Sequence, residues 1–284
     1  MVKDIGNIAV IRCEERMDTR TLRILEFEKI RQLLLPHAAT VLGKEHVSKL
    51  RPSRDAAMVA ARLAETAEAV GLLEAQGAVP FDGIRDIRDP LQRAEKQGVL
   101  TATELQDVAD TAAGCRRLRR ALQATETACP LLKAQAALLG EYPALEKAID
   151  RAIGANGEVL DAASPELEAA RRRVRRLHDE IQRELQRLVA SAAVQELLQE
   201  PLVTLRNGRF CVPVRAEQRH AFKGIVHDIS ASGQTAFMEP LSVMELGNDL
   251  RESERREEEE VYRVLAALST QVGRVAPQLK SGVE

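Results

Sequence analysis

The sequence predicts a mainly α-helical protein, in which a helical core domain is followed by long antiparallel coiled-coil arms carrying a small antiparallel β module at the tip. Three observations support this fold class. Aromatic residues make up only 2% of the chain, tryptophan is absent, and alanine, leucine, glutamate and arginine dominate, which favours long helices. Apolar residues recur at helical spacing in two long charged stretches. Between those stretches lies one segment with hairpin signals.

Residues 1–16 differ in pattern from the helical stretch that begins after Met17, and we interpret them as an extension or tail. Residues 17–160 contain repeated helical patterns and predict the helical core domain. One of its helices is expected to begin at Ser53 and to end near Gly77. The apolar residues that predict this helix are Val59, Leu63, Val70 and Leu73. A later helix is expected to open with a capping box formed by Thr101 and Glu104.

Residues 161–200 and 241–278 predict the two arms. Ser164 suits the N-cap of the first arm, and Pro165 suits its first helical position. The apolar seam of this arm follows spacings of three and four with one slip, at Leu167, Ala170, Val174, Leu177, Ile181, Leu185, Leu188 and Ala192. The returning seam is Val243, Leu246, Leu250, Val261, Val264, Leu268 and Val272. Antiparallel pairing is expected to set Gln199 roughly opposite Ser242.

Residues 201–240 predict the β tip. Asn207-Gly208 indicates a two-residue type I′ turn, because that turn needs positive φ at both positions. Closing it pairs Arg206 with Arg209, Leu205 with Phe210 and Val203 with Val212. A second hairpin is expected from strands at 224–229 and 235–238. Pro213 is expected at an edge or a bulge, because it has no N–H to donate to a ladder.

The basic residues of the tip are the main candidates for function. Arg206 and Arg209, placed opposite each other by the turn, should repel unless the tip meets an anion. The net charge of −2 restricts any nucleic-acid role to local patches. The candidate nucleic-acid-binding residues at the tip are Arg206, Arg209, Arg215, Arg219 and Lys223. The alternative for this set is a solubilising surface.

Two further basic runs lie on helices. The first arm contains Arg171, Arg172, Arg173 and Arg176, for which the expected register leaves no acidic residue opposite. These are also candidates for an external anion, and their alternative is again a solvated helix face. The run at 116–120 is interpreted as a solvated helix face.

No catalytic constellation or phosphate loop of the form GxxxxGK[ST] occurs in the sequence. His227 and Glu239 do not predict a metal site, because no second histidine lies at ligand spacing and strand neighbours point to opposite faces. The cysteines, Cys13, Cys115, Cys129 and Cys211, lack CxxC spacing and fit free thiols in a reducing cytoplasm. No stretch approaches the roughly 18 apolar residues of a membrane span. We expect no catalytic residue, cofactor or metal in this chain, and a cytoplasmic location.

Several longer motifs stand out: LEFEKI at 25–30, GIRDI at 83–87, RAEKQGVL at 93–100 and GEVLDAASPEL at 157–167. More specific are LRNGRFCVPVRAE at 205–217, KGIVHDISASGQTAFMEP at 223–240 and VMELGNDL at 243–250. Through these motifs the chain from about Met17 onward resembles the amino-terminal part of the bacterial MutS-two branch of the MutS family. Gly247 departs from the pattern, which has an asparagine there, and a glycine inside a helix costs about 1 kcal/mol relative to alanine.

The resemblance implies that residues 17–160 form a core or lever domain and that residues 201–240 form a clamp that closes over nucleic acid. It also implies an ATPase domain, with ATP and Mg, and a small Smr-type nuclease domain, both expected beyond Glu284. This chain would then be the non-catalytic nucleic-acid-binding region of such an ATPase.

The resemblance also implies partners. Those of the family are branched DNA, in the suppression of recombination, and stalled or collided ribosomes with their rRNA. A homodimer is implied for the full-length protein, and no membrane partner. The alternative function is a structural coiled-coil dimerisation or protein-interaction module without nucleic-acid contact. A self-contained enzyme is disfavoured by the missing catalytic constellation.

Overall fold

The computed structural model describes residues 19–283, which divide into two compact units. The first unit lies within residues 1–149 and 269–284, and the second comprises residues 150–268. The predicted extension at 1–16 lies outside the described residues. Within the described part of the chain, none of the helices is long and apolar enough to cross a membrane.

Residues 19–283 are mainly helical with one small sheet, as the sequence predicts. The helices are α1 (Thr19–Ile24), α2 (Phe27–Leu34), α3 (Val41–Lys49), α4 (Ala56–Gln76), α5 (Arg88–Glu95), α6 (Ala102–Ala124), α7 (Pro130–Ala137), α8 (Pro143–Ala152), α9 (Pro165–Ala190), α10 (Ala192–Gln195) and α11 (Leu241–Val283). The strands are β1 (Thr204–Arg206), β2 (Arg209–Arg215), β3 (Gly224–Ile229) and β4 (Thr235–Pro240). Short 3-10 turns lie at 35–37, 161–163 and 216–218.

The core of the first unit is built around α6. The predicted capping box is present at its start, because Thr101 Oγ1 accepts from the Glu104 N–H while the Glu104 carboxylate accepts from the Thr101 N–H. The inward side of α6 is fully buried at Leu105, Val108 and Ala112. This capped, amphipathic helix therefore supplies a continuous apolar stripe to the core.

Helix α4 buries a different side from the one that its apolar spacing in the sequence predicts. Its one fully buried residue is Leu72, whereas Leu63, Val70 and Leu73 are 64%, 48% and 47% exposed. The helix is also capped by Asp55, whose carboxylate accepts from two backbone N–H groups, rather than by Ser53. It ends at the expected glycine, Gly77, which has a φ of 75°.

The second unit contains α9, whose start is the predicted one: Ser164 Oγ accepts from the Leu167 N–H, and Pro165 takes the first position. A buried cluster joins it to α11 and contains Leu177, Ile181, Leu185, Val243 and Leu250. The helix ends at Ala190, not near Gln199. Residues beyond this end, including Leu197 and Leu198, instead pack into the core of the sheet.

The sheet has the strand order β1-β2-β4-β3, with all pairs antiparallel. Both predicted hairpins form, and the first one pairs Leu205 with Phe210 in the expected register. The expected pair of Val203 with Val212 is absent, because β1 begins at Thr204 and its ladder with β2 ends at the pair of Thr204 with Cys211. The inner side of the sheet is buried at Val212, Val214, Ala236 and Met238.

Pro213 lies in an interior strand, so the prediction of an edge or bulge is wrong. It pairs with Phe237 of β4, while on the other side its carbonyl accepts from the Gln199 N–H at 2.8 Å. The N and C=O groups of one strand residue point to the same side. The missing N–H of Pro213 therefore faces the irregular segment around Gln199 and removes no bond from the β2–β4 ladder.

Candidate nucleic-acid interface

The hairpin tip has the geometry that the Asn-Gly turn predicts. Asn207 and Gly208 have φ values of 49° and 72°, which are the positive values that a type I′ turn requires. Arg206 and Arg209 are direct partners across the strands. The two guanidinium groups therefore start from adjacent backbone positions on the same face of the sheet.

Arg209 turns toward a buried carboxylate. Its Nη1 lies 3.1 Å from Glu239 Oε1 and donates to Asn248 Oδ1 at 2.9 Å. The Glu239 side chain is 3% exposed, and its second oxygen, Oε2, lies 2.7 Å from His227 Nε2. Gly247 of α11 leaves room for this cluster, since a Cβ at that position would lie 3.2 Å from Glu239 Oε1. Arg209 thus links β2 to β4 and to α11.

Arg206 turns the other way and stacks on an aromatic ring. Its Cζ lies 4.1 Å from the centroid of Phe237, a cation–π distance, and its Nε lies 4.0 Å from Asp228 Oδ2. The Nε atom is covered and has no hydrogen bond. The two opposed arginines therefore have internal partners, and their pairing does not by itself require an external anion.

The remaining basic residues of the tip lie on the connection between β2 and β3. Arg215, Arg219 and Lys223 are all exposed. Arg215 Nε donates to the Leu198 carbonyl at 3.2 Å, and Arg219 Nε lies 3.2 Å from His220 Nε2. Across residues 19–283 no carboxylate forms an ion pair with any of these three cations. The connection is anchored because Phe222, 6% exposed, packs in the inner core of the sheet.

The arginine run of the first arm is largely neutralised inside the chain. Arg171 contacts Asp161 at 2.6 Å and Glu257 at 2.9 Å. Arg173 contacts Asp249 at 3.1 Å. Hydrogen bonds from Arg171 and, less strongly, from Arg175 lower the pKa of Asp161 below its ordinary value of 3.8.

The expectation that no acidic residue faces this run is therefore wrong. Because α9 stops at Ala190, the chain reverses earlier than predicted, and Arg171 meets Glu257, which the expected register did not set opposite it. Arg172 lies 3.7 Å from Glu168 on its own helix. Arg176 is exposed and has no ion pair with any described residue.

The basic run of α6 is not a solvated face. Arg116 forms a two-pronged contact with Glu146, with Nε 3.1 Å from Oε1 and Nη2 2.6 Å from Oε2. The other three arginines of the run bond to groups in neighbouring segments: Arg117 to the Asp82 carbonyl, Arg119 to the Leu139 carbonyl and Arg120 to Glu141. These side chains fasten α6 to its neighbours and are poor candidates for an external anion.

The contact between His227 and Glu239 is a pairing that sequence reasoning missed. Strand β3 has an irregularity between Val226 and Asp228, which sets Asp228 instead of His227 opposite Phe237 of β4. No group of three or more His, Cys, Asp or Glu residues among residues 19–283 is arranged to hold a metal ion. Burial, with the Glu239 charge adding to it, raises the pKa of the nearby Cys211 thiol to about 11. The cluster has the character of a buried structural network.

Comparisons with known proteins give one consistent result. No protein-family model matches the chain. It is 47% identical over 263 residues to "Endonuclease MutS2" of Symbiobacterium thermophilum, covering 93% of this chain and 33% of that protein. Proteins of the same name from Geobacillus thermodenitrificans and Halalkalibacterium halodurans are 42% and 41% identical, over 94% and 89% of this chain and 35% and 33% of their own lengths. The chain thus spans about a third of the length of these relatives.

Proposed function

We propose that this chain, which belongs to the MutS2 branch of the MutS family, is the non-catalytic nucleic-acid-binding region of a MutS2-type ATPase. In this proposal the β module touches the phosphate backbone and the helical parts of the chain carry it. The activity of the whole protein, including the cleavage that the name of its relatives indicates, would belong to the part of such a polypeptide outside this chain. The proposed location is cytoplasmic.

One observation carries the proposal. The connection at 215–223 presents three exposed cations that have no carboxylate partner in the described structure, whereas the arginine runs of α6 and α9 are mostly paired within the chain. Unpaired Lys and Arg side chains on one anchored segment are suited to phosphate groups, because such contacts need charge and reach rather than a base-specific fit. Phe222 holds the segment in place, so the cations are presented without ordering a free loop.

The tip arginines support the proposal to different degrees. Arg206 is 42% exposed and stacked on Phe237, an arrangement in which a planar guanidinium can still donate to a phosphate. Arg209 is 19% exposed and committed to Glu239. We therefore assign phosphate contact to Arg215, Arg219 and Lys223 first, to Arg206 second, and a positioning role to Arg209.

Two ligands fit this chemistry equally, branched DNA and structured RNA of the ribosome, because both present phosphate groups along a backbone. The proposed biological roles are correspondingly the suppression of recombination or the handling of stalled ribosomes. No residue of this chain is proposed to bind ATP or Mg, since the sequence contains no phosphate loop of the form GxxxxGK[ST].

The test is fluorescence anisotropy with labelled branched DNA, linear duplex and structured RNA over a series of salt concentrations. The test variant is Arg219→Glu with Lys223→Glu. The matched control is Lys147→Glu with Arg151→Glu, which reverses the same charge at two exposed positions of α8. The parent is expected to lose affinity steeply with salt, at a slope of about 0.9 for each phosphate contacted.

The test variant is expected to bind at least about tenfold more weakly than the parent and to show a slope lower by about 2. The control variant is expected to retain most of the affinity, because its charge change is the same but lies on α8, outside the connection at 215–223. Equal loss in both variants would mean that only the net charge matters, and the interface would be wrongly placed. Absence of binding at low salt would favour the structural alternative. The preferred ligand would separate DNA from RNA.

A further inference from the structure

Helix α4 carries an apolar stripe whose middle, at Leu63 and Val70, faces away from the core, while Leu73 at its end also borders a cavity lined by core residues. Its members alternate spacings of four and three: Val59, Leu63, Thr66, Val70 and Leu73. Leu63, Val70 and Leu73 are 64%, 48% and 47% exposed. The Thr66 hydroxyl bonds to the Arg62 carbonyl of its own helix at 2.8 Å, so it needs no other partner. Such spacing is the pattern by which one helix packs against another.

The opposite side of α4 is held by polar contacts that fix its rotation. The Glu68 carboxylate accepts from the N–H groups of Leu131 and Leu132, at 3.2 and 3.0 Å, and so caps the start of α7. Gln135 Nε2 donates to Glu65 Oε1 at 3.0 Å, and Leu72 is 2% exposed. Turning the stripe inward would break all of these contacts, so its exposure is built into the unit.

The flanks of the stripe favour a close helical partner. Alanine occupies two positions beside the stripe on α4, at Ala60 and Ala67. Small side chains beside an apolar seam let a second helix approach without steric conflict. Arg62 is the one cation next to the seam, and it has no ion pair with any described residue. A fitting partner is an amphipathic helix with the same alternation of apolar residues and an acidic residue opposite Arg62.

Size argues against a second copy of this chain as the occupant. The stripe covers 15 residues, or about 21 Å of helix. An apolar seam of two heptads buries far less surface than the roughly 1,600 Å² of a typical stable interface between separate proteins. The same seam is sufficient between segments of one polypeptide, where the effective concentration reaches the millimolar range. About two thirds of the length of the Symbiobacterium thermophilum relative lies outside the stretch that matches this chain.

We propose that the outward stripe of α4 is an intramolecular docking surface for an amphipathic helix in that remaining part of a MutS2 polypeptide. The seam would then be covered in the longer protein and exposed in this chain alone. This role is separate from nucleic-acid binding, which is assigned to the other unit.

The experiment compares thiol labelling of this chain alone with that of a chimera in which it replaces the matching stretch of the Symbiobacterium thermophilum relative. Leu63→Cys reports on the stripe. Ala64→Cys is the control, because it is the next residue on α4, is exposed, and lies on a different side of the helix. Cys13 is replaced by serine in both, since the other three cysteines are buried. Maleimide modification at position 63 or 64 is followed by peptide mass spectrometry.

We expect position 63 to react at least tenfold more slowly in the chimera than in the chain alone, and position 64 to react equally in both. Equal reactivity of position 63 would overturn the proposal. So would concentration-dependent protection of position 63 in the chain alone, because the surface would then be an interface between copies.

Discussion

His227 Nε2 lies 2.7 Å from Glu239 Oε2, and the carboxylate that it meets is only 3% exposed. The other oxygen of the same carboxylate lies 3.1 Å from Arg209 Nη1. One buried acidic group thus connects β2, β3 and β4, and its partner Arg209 also donates to Asn248 of α11. A charge buried in this way is tolerable only because its partners are in place.

Substitution of Glu239 tests how much the module depends on this group. Glu239→Gln is expected to lower the free energy of unfolding by about 3 kcal/mol, because Arg209 would stay covered without its counter-charge. The measurement is urea unfolding followed by circular dichroism. Asp228→Asn is the control, since that side chain is 46% exposed and only 4.0 Å from Arg206 Nε, and its cost should stay below about 1 kcal/mol. Equal costs for the two variants would contradict a structural role of the buried cluster.

A second prediction concerns Glu45 of α3. Hydrogen bonds from Arg88 and then Lys49 lower the pKa of its carboxyl from 4.5 to about 2. The folded state therefore prefers the ionised form, and the stabilisation is present above pH 4.5 and lost as the pH falls toward about 2. Carboxyl NMR titration should give a midpoint near 2 in the parent. In Arg88→Ala it should move toward 4.5, and in Lys49→Ala by less, because Arg88 is the larger cause. An unchanged midpoint in Arg88→Ala would exclude that ion pair.

Replacement by alanine should change the stability of the protein in opposite directions at two helical glycines. A Cβ on Gly71 of α4 would meet nothing within 4 Å, so Gly71→Ala is expected to stabilise the protein by about 0.5–1 kcal/mol through helix propensity. A Cβ on Gly273 of α11 would lie 2.5 Å from the Ala94 carbonyl oxygen. Gly273→Ala should therefore destabilise by more than about 1 kcal/mol, because backbone must move. Thermal unfolding of the two variants checks both signs.

The contact between Arg116 and Glu146 should depend on the shape of the guanidinium group. Arg116→Lys keeps the charge but loses the two-pronged geometry, and it is expected to cost about 2 kcal/mol at a partner that is 8% exposed. Arg172→Lys is the matched control, because Arg172 is 61% exposed and 3.7 Å from Glu168, and its effect should stay within about 0.5 kcal/mol. Chemical unfolding measures the free-energy change of both variants. Similar small effects would mean that the basic run of α6 is a solvated face.

Local signals in the sequence predicted local structure well. The Asn207-Gly208 turn, the Thr101–Glu104 capping box and the Ser164-Pro165 helix start each rest on a few neighbouring residues, and each is present in the structure. Such signals are reliable because the hydrogen bonds involved are made within one turn of chain.

Features that depend on distant residues were not predicted. Helix α9 stops at Ala190, the following Leu197 and Leu198 pack into the sheet, and Arg171 and Arg173 consequently meet acidic residues of α11. The apolar spacing of α4 predicted the helix correctly. It did not predict which side is buried, since the side that carries Glu65 and Glu68 is the one that bonds to α7. Periodicity identifies an apolar side, whereas its burial depends on what the rest of the fold offers.

At the candidate interface, sequence reasoning identified the basic residues but not which of them have partners inside the chain. Charge alone could not distinguish Arg209, which is occupied by Glu239, from Arg215, Arg219 and Lys223, which face outward. The irregularity in β3 that sets Asp228 opposite Phe237 leaves no signal in the sequence, because it interrupts the simple alternation of strand faces.

The shared carboxylate of Glu239 also sets an expectation for how these positions diverge among homologues. A substitution at 209, 227 or 239 alone leaves a polar group without its partner in the interior of the module. The three positions should therefore covary. Arg206 is restrained only by an aromatic ring and a half-exposed carboxylate, and it should drift independently of them. Two arginines that are mirror partners across one turn are thus expected to have separate evolutionary histories.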